Sequence, residues 1–305
     1  MNRLARLECA LRGLLQFERR TDEIKINQGR ILTALQRTSP GGPLWTHEFK
    51  VFSQWGEDGI LQFLTQSLPV RHQTFIEFGV EDFHESNCRF LMMKDRWKGF
   101  VIDGSEAHMR RLRSSAFFWQ SDLRCRTAFI TRENIGALLD ESGFDRELGV
   151  LSIDLDGIDW HVLEALGHWR PAILVVEYND AFGWARPVTV PYAPDFVRRK
   201  RHISNLYWGA NLPAFQHLAS ARGYALVGTN SVGSNAFFVQ RDMLGGRVQE
   251  VELTSCVREA SYRDSRGRSG ELTFLSGRAR LEVMADMEVL DVRTCERLRV
   301  RDLHD

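Results

Sequence analysis

Thr74-Phe75-Ile76-Glu77-Phe78-Gly79 is a short apolar run closed by an acid and a glycine, and Gly99-Phe100-Val101-Ile102-Asp103 repeats the form, again ending in an acid. Each has the length of a buried strand and is too short for a buried helix. Residues 127–131, 148–154 and 172–177 continue the series, with stretches of helical periodicity between them. Continuous apolar strands that alternate with helices build a parallel sheet covered on both faces. Two last strands, Tyr224–Thr229 and Asn235–Gln240, flank Asn230-Ser231-Val232-Gly233-Ser234, and that hairpin spacing turns the final strand antiparallel. The expected fold is α/β, a doubly wound and mostly parallel sheet of seven strands.

Outward from this core, residues 3–37 read as one helix. Leu4, Leu7, Leu11 and Leu14 recur in steps of three and four, Ile24, Ile31 and Leu35 follow, and Ser39-Pro40-Gly41-Gly42-Pro43 ends the pattern. Residues 1–43 are therefore an N-terminal helical extension. Its leucine stripe either joins a second copy of the chain, as an oligomerisation arm, or packs on its own body. Residues 44–245 form the main domain. Residues 246–305 are a C-terminal extension in which 258–270, rich in Arg, Ser, Asp and Gly, suits a lid or an acceptor-contacting segment, and 281–292 fits strand or helix.

Composition narrows the class. The 305 residues are 43% hydrophobic and 26% charged, as in a soluble globular chain. Forty Lys and Arg balance forty Asp and Glu, so no global positive field draws the chain to nucleic acid or to an anionic membrane. No run approaches the roughly 18–20 apolar residues of a membrane span. Residues 1–20 scatter charge where a signal peptide carries an apolar core, and the five cysteines form no CxxC pair. Reduced thiols in the cytoplasm, without a zinc ribbon, are the expectation.

In an open parallel sheet, ligands bind outside the carboxyl ends of the strands, near the point where strand order reverses. Glu77, Asp103, Asp154, Asp156 and Glu177 all fall at such ends. So many acids along one edge are costly unless they meet donors, sugar hydroxyls or cations. Asp103 ends the second strand, where an acid grips the two hydroxyls of a ribose. The glycine-rich phosphate loop is missing, because Gly79 runs into Val80-Glu81-Asp82-Phe83, and Glu81 and Asp82 repel a pyrophosphate. A nucleoside with a positive centre and no phosphate suits this loop, and S-adenosylmethionine (SAM) is such a ligand.

Asp154 with Asp156, and Glu177 with Asn179, are alternate residues of extended segments, which project toward one point if their strands are neighbours. Oxygen ligands of this kind suit Mg²⁺ or Mn²⁺. The competing reading makes Asp156 a cap of the following helix and Glu177 a contact of the cofactor or of Arg170.

Several of these segments carry a family resemblance. Gln54 within Ser53-Gln54-Trp55-Gly56-Glu57-Asp58, Ile76-Glu77-Phe78-Gly79-Val80 with Glu85-Ser86-Asn87, Leu151-Ser152-Ile153-Asp154-Leu155-Asp156-Gly157, and Val176-Glu177-Tyr178-Asn179 resemble the FkbM-like branch of class I SAM-dependent methyltransferases. So does Gly223-Tyr224 followed by Gly233-Ser234-Asn235-Ala236-Phe237-Phe238-Val239. The resemblance covers residues 50–245 in round numbers and implies a Rossmann-like fold. It places SAM against Glu77, Gly79 and Asp103, with Gln54, Ser86 and Asn87 on segments that close over it. Asp122, before the third strand, either reaches the adenine amine or makes only a turn.

The acids after the fourth and fifth strands are similar to those of catechol O-methyltransferase and the macrolide-sugar O-methyltransferases, where a divalent ion binds the acceptor hydroxyls. Asp154 then serves catalysis as well as the metal. Such enzymes use a Lys or His near the ion. Here Gly157 follows the acid pair, which leaves His202, in Arg198-Arg199-Lys200-Arg201-His202, as the catalytic base and His161 as a packed helix residue. Trp184, Tyr192, Tyr207 and Trp208 flank the same connection, to stack on a sugar or to join the core. The expectation is a SAM-dependent O-methyltransferase that uses Mg²⁺ or Mn²⁺ and acts on a sugar hydroxyl of a polysaccharide, glycolipid or glycosylated natural product. Its rivals are a scaffold that has the fold and transfers nothing, and a metal-dependent glycosyltransferase using Asp154 and Asp156.

Overall fold

The computed structural model describes residues 3–38, 41–261 and 264–304. Its strands are β1 (Thr74–Phe78), β2 (Lys98–Asp103), β3 (Leu123–Thr127), β4 (Val150–Ile153), β5 (Ile173–Glu177), β6 (Val188–Thr189), β7 (Tyr224–Thr229), β8 (Asn235–Gln240), β9 (Glu288–Asp291) and β10 (Arg297–Arg299). The helices are α1 (Arg3–Gln36), α2 (Glu57–Ser67), α3 (Arg89–Asp95), α4 (Glu106–Ser114), α5 (Ala116–Gln120), α6 (Ile135–Asp140), α7 (Asp159–Ala165), α8 (Arg198–Arg201), α9 (Leu212–Ala221) and α10 (Arg278–Glu282).

The main sheet has the order β3-β2-β1-β4-β5-β8-β7. Its first five strands are parallel, and β8 runs antiparallel to both β5 and β7. This is the doubly wound, Rossmann-like α/β sheet expected, with the reversed strand inserted beside β5. In β4 every residue is buried, and in β1 all but Thr74, which is why both read as unbroken apolar runs. The third strand is a correction. It spans Leu123–Thr127 rather than 127–131, because an edge strand buries only alternate residues and its arginines, Arg124 and Arg126, hide the signal.

Strand order reverses between β1 and β4, where Phe75 to Glu77 pair with Val150 to Ser152. That register brings Asp154 out of the sheet next to Gly79. The C-terminal extension is tied to the same end. β9 and β10 join β6 in a three-stranded antiparallel sheet, so 281–292 is helix end and strand together. Arg280 of α10 forks onto buried Asp180, just after β5, at 2.6 and 2.8 Å.

The C-terminal half of α1 packs on the body. A Cβ on Gly29 would lie 2.4 Å from the Phe90 ring, and Asp22 meets the buried Arg89 at 2.7 Å. The stripe Leu4, Leu7, Leu11 and Leu14 lies outside the described side chains, whereas Ile24, Ile31 and Leu35 face solvent. Among the described residues, no helix is long and apolar enough to cross a membrane, and Cys88, Cys125, Cys256 and Cys295 are free thiols.

Candidate active site

A cleft of about 430 Å³ opens at the carboxyl ends of β1, β4 and β5. Of the residues singled out in the sequence, it brings together Gln54, Glu77, Gly79, Ser86, Asn87, Asp154, Asp156 and Glu177. Gly79 fixes the geometry. Its φ is +66°, and a Cβ there would sit 1.8 Å from the carbonyl oxygen of Asp154, so the turn after β1 lies directly on the exit of β4.

Glu77 lines the cleft but is spent on the protein itself. Its carboxylate accepts from Ser86 Oγ (2.6 Å), the Asn87 N–H (2.8 Å) and the Cys88 N–H (3.1 Å). It therefore anchors the segment leading into α3, and Asn87 Nδ2 extends that wall by donating to Ser152 Oγ at 3.1 Å. Burial pushes the Glu77 carboxyl up while these donors pull it down.

The loop after β4 is shaped by an acid the sequence reading missed. Asp159 accepts from the Leu155 N–H at 2.6 Å and the Gly157 N–H at 3.0 Å. Burial raises its carboxyl to about 6. Asp159, not Asp156, thus holds the turn that opens α7; an acid two to four residues after the donors is a familiar turn signal. Asp156, in a left-handed conformation with φ +54°, is released to the cleft.

Asp154, Asp156 and Glu177 each present an oxygen within 4.8 Å of the others. Burial, then the Asp156 charge, holds the Asp154 carboxyl well above its usual range. Burial, then the Asp154 charge, does the same to Glu177, whose buried Oε2 has no hydrogen-bond partner among the described residues. Arg198 supplies a positive charge at the edge of this cluster. Its Nη1 lies 2.5 Å from Asp156 Oδ1, its Nη2 pairs with Asp264, its Nε donates to the Asn205 carbonyl at 2.7 Å, and its plane covers Trp208. Glu77, Glu81, Glu85 and Asp264 also line the cleft, so its acids outnumber Arg198. Converging carboxylates with an orphaned oxygen fit a hard divalent cation.

A second overlooked pair holds the roof. Asp58 Oδ2 accepts the N–H groups of Val51, Phe52 and Ser53, each at 2.7 Å, and Ser53 Oγ at 2.8 Å. Glu57 accepts from the side chains of Asn230 (2.8 Å) and Asn235 (2.9 Å) and from the Trp55 N–H (3.0 Å). Both acids stand in the first turn of α2, a position that favours carboxylates, and they set Gln54 and Trp55 over the cleft.

Four expected site residues lie elsewhere. Asp103 braces a turn beside the cleft, accepting from the Glu81 N–H (3.0 Å) and the Ser105 N–H (2.7 Å). Asp122 is on the wrong edge of the sheet: Leu123 pairs with Gly99 at the start of β2, so Asp122 projects at the amino ends and meets Lys98 at 3.4 Å. Asn179 is no metal ligand. Its amide donates to the Leu206 and Trp208 carbonyls, each at 2.9 Å, while its Oδ1 accepts the Ala181 N–H at 3.0 Å. His202 does not line the cleft, and its Nδ1 is held 2.7 Å from Ser204 Oγ; Arg198 is the member of that basic run which enters.

His161 is packed, as its helix pattern suggests, with Nε2 2.9 Å from the Val190 carbonyl. Tyr207 and Trp208 are buried in the core and offer no ring face to a sugar.

The sequence matches no family model and no curated protein. Solved structures overlap it in part. An O-methyltransferase from Bacillus cereus in complex with S-adenosylhomocysteine (SAH) is 13% identical, covering 70% of this chain and 88% of that one, with a TM-score of 0.40. The CurJ carbon methyltransferase is 12% identical over 61% of this chain, with a TM-score of 0.39, and the chain spans only 52% of its length. An O-methyltransferase family protein from Burkholderia thailandensis is 13% identical over 64% of this chain and 58% of that one, with a TM-score of 0.35. At these identities and scores the overlaps carry no weight for activity, which rests on the chain's own residues.

Proposed function

We propose that this chain is a SAM-dependent O-methyltransferase in which Asp154, Asp156 and Glu177 hold Mg²⁺ or Mn²⁺ beside a sugar hydroxyl. The observation that carries the reading is the acidic cleft at the point of strand reversal, where Glu177 Oε2 is buried without a partner. A field of this sign repels phosphate cofactors and attracts a sulfonium or a metal ion. The resemblance in the motifs around Gln54, Glu77, Asp154 and Glu177 supports SAM over other cationic ligands.

In this reading Gly79 sets the distance between the cofactor turn and Asp154, and Trp55 with Gln54 limits water over the reacting atoms. The acceptor oxygen bonds to the methyl carbon as the sulfur–carbon pair returns to sulfur, and the hydroxyl proton leaves to water in the cleft. With no cation bound, burial and mutual repulsion hold the Asp154 and Glu177 carboxyls well above their usual range, so they keep protons; as ligands of an ion they would be ionised, and the pair does not take the role first sought in His202. A divalent ion bound there supplies charge compensation and acidifies an oxygen set against it.

A second reading, methyl transfer without metal, is favoured by Arg198, already a built-in cation at Asp156. The discriminating experiment measures SAH binding by calorimetry and transfer of labelled methyl from SAM to a panel of sugars and glycolipids, with EDTA or with Mg²⁺. SAH binding with EDTA-sensitive transfer is the expected result. No SAH binding sinks the enzyme assignment and leaves the scaffold. Full turnover after exhaustive chelation transfers the charge role to Arg198. Stabilisation by nucleoside diphosphates with Mn²⁺, and not by SAH, would favour the glycosyltransferase.

A further inference from the structure

Helix α1 has two apolar faces, and the fold uses one of them. Ile26, Gly29 and Thr33 meet the body, where Thr33 is 2% exposed and Gly29 lies against Phe90 and Val51. On the opposite side, Phe17, Ile24, Ile31 and Leu35 are 71, 67, 64 and 63% exposed. Large apolar side chains this open on one line of one helix mark a surface that another molecule covers.

The spacing identifies the cover. Phe17, Ile24 and Ile31 recur every seven residues, and Leu7, Leu14, Thr21, Gln28 and Leu35 form the second row of the same heptad, alternating with the first in steps of three and four. A 3.5-residue apolar period is the seam of a coiled coil, and a polar residue such as Gln28 within it fixes register. Arg20, Lys25 and Asn27 flank the stripe and keep it narrow, as suits two strands and not a wider bundle face. We propose that α1 pairs with α1 of a second copy of this chain along this stripe.

Area bears on how tight the pairing is. From Phe17 to Leu35 the stripe runs about 27 Å at 1.5 Å per residue and, over a helix width of about 10 Å, offers about 270 Å² in plan on each copy. A standard stable interface takes roughly 800 Å² of accessible surface per partner, so this stripe makes a small interface whose pairing shows at the concentrated end of a dilution series.

Light scattering on the full chain over a dilution series tests this. The expected mass is twice 35.1 kDa at the concentrated end. The double variant Ile24→Glu, Ile31→Glu should weaken pairing at least tenfold while its melting temperature at high dilution stays that of the parent, since both side chains are exposed in one chain. A single-chain mass at every concentration overturns the proposal. So does a paired double variant, which would place the contact on another face, or a mass above two chains.

Discussion

Replacing Gly79 by alanine tests the placement of the cleft most directly. The added Cβ would start 1.8 Å from the Asp154 carbonyl oxygen, and real contacts stop near 3.0 Å, so the two segments must part by about 1.2 Å. Two costs add. A side chain at φ +66° loses about 1–2 kcal/mol, and forcing apart packed backbone adds about 1–3 kcal/mol. At about 2–4 °C per kcal/mol, the melting temperature should fall by on the order of 10 °C.

Gly143→Ala separates the terms. Its φ is +60°, yet nothing lies within 4 Å of the new Cβ, so it loses only the conformational part, a few degrees. Because Asp154 moves with its carbonyl, a displacement near 1 Å should also cost about a hundredfold in turnover and weaken Mn²⁺ binding, read by calorimetry, while Gly143→Ala leaves both intact. The reasoning fails if Gly79→Ala melts with Gly143→Ala and binds Mn²⁺ like the parent.

Further outcomes follow from the same geometry. Asp154 and Glu177 keep protons in the folded state that the unfolded chain releases above about pH 4. In EDTA, stability should therefore fall as pH rises from about 4 through their raised folded values, by at most about 1.4 kcal/mol per pH unit for each retained proton. Saturating Mg²⁺ should flatten that part of the profile; identical denaturant profiles with and without Mg²⁺ would refute the cation site. Asp58 and Asp159, raised to about 6, give a slope of the same sign between about pH 4 and 6 in both conditions.

Glu177→Gln removes a buried charge beside Asp154, so it should raise the melting temperature in EDTA at alkaline pH and abolish the gain on adding Mn²⁺; a lower melting point there would contradict the repulsion. Asn179→Ala strips donors from two buried carbonyls and should cost about 2–4 kcal/mol with Mn²⁺ affinity of the folded protein unchanged. Lost Mn²⁺ affinity at parental stability would restore Asn179 as a ligand. Asp122→Ala breaks only an exposed ion pair, and SAH affinity should not change, with stability within about 0.5 kcal/mol; weaker SAH binding would return it to the site.

The sequence by itself determined the central strands and the edge of the sheet that carries the acids. Central strands such as β1 and β4 are buried on both faces, so their apolar runs are local signals, and an acid at the end of a run must lie at its carboxyl end. The edge strand β3 escaped because its outward arginines break the run. Which acids remain available was decided only by the tertiary structure. Glu77 and Asp159 have the same chemistry as Asp154 and Glu177, yet their oxygens are taken by Ser86, Asn87 and Cys88 or by Leu155 and Gly157. Glu57 is satisfied by Asn230 and Asn235, far along the chain, and Asn179 by carbonyls beyond α8. The start of β3 at Leu123, parallel to β2, put Asp122 at the amino ends. A residue's type states what it can bond, but only the fold brings the partner, so three carboxylates with a shortage of donors emerge as the candidate cation site.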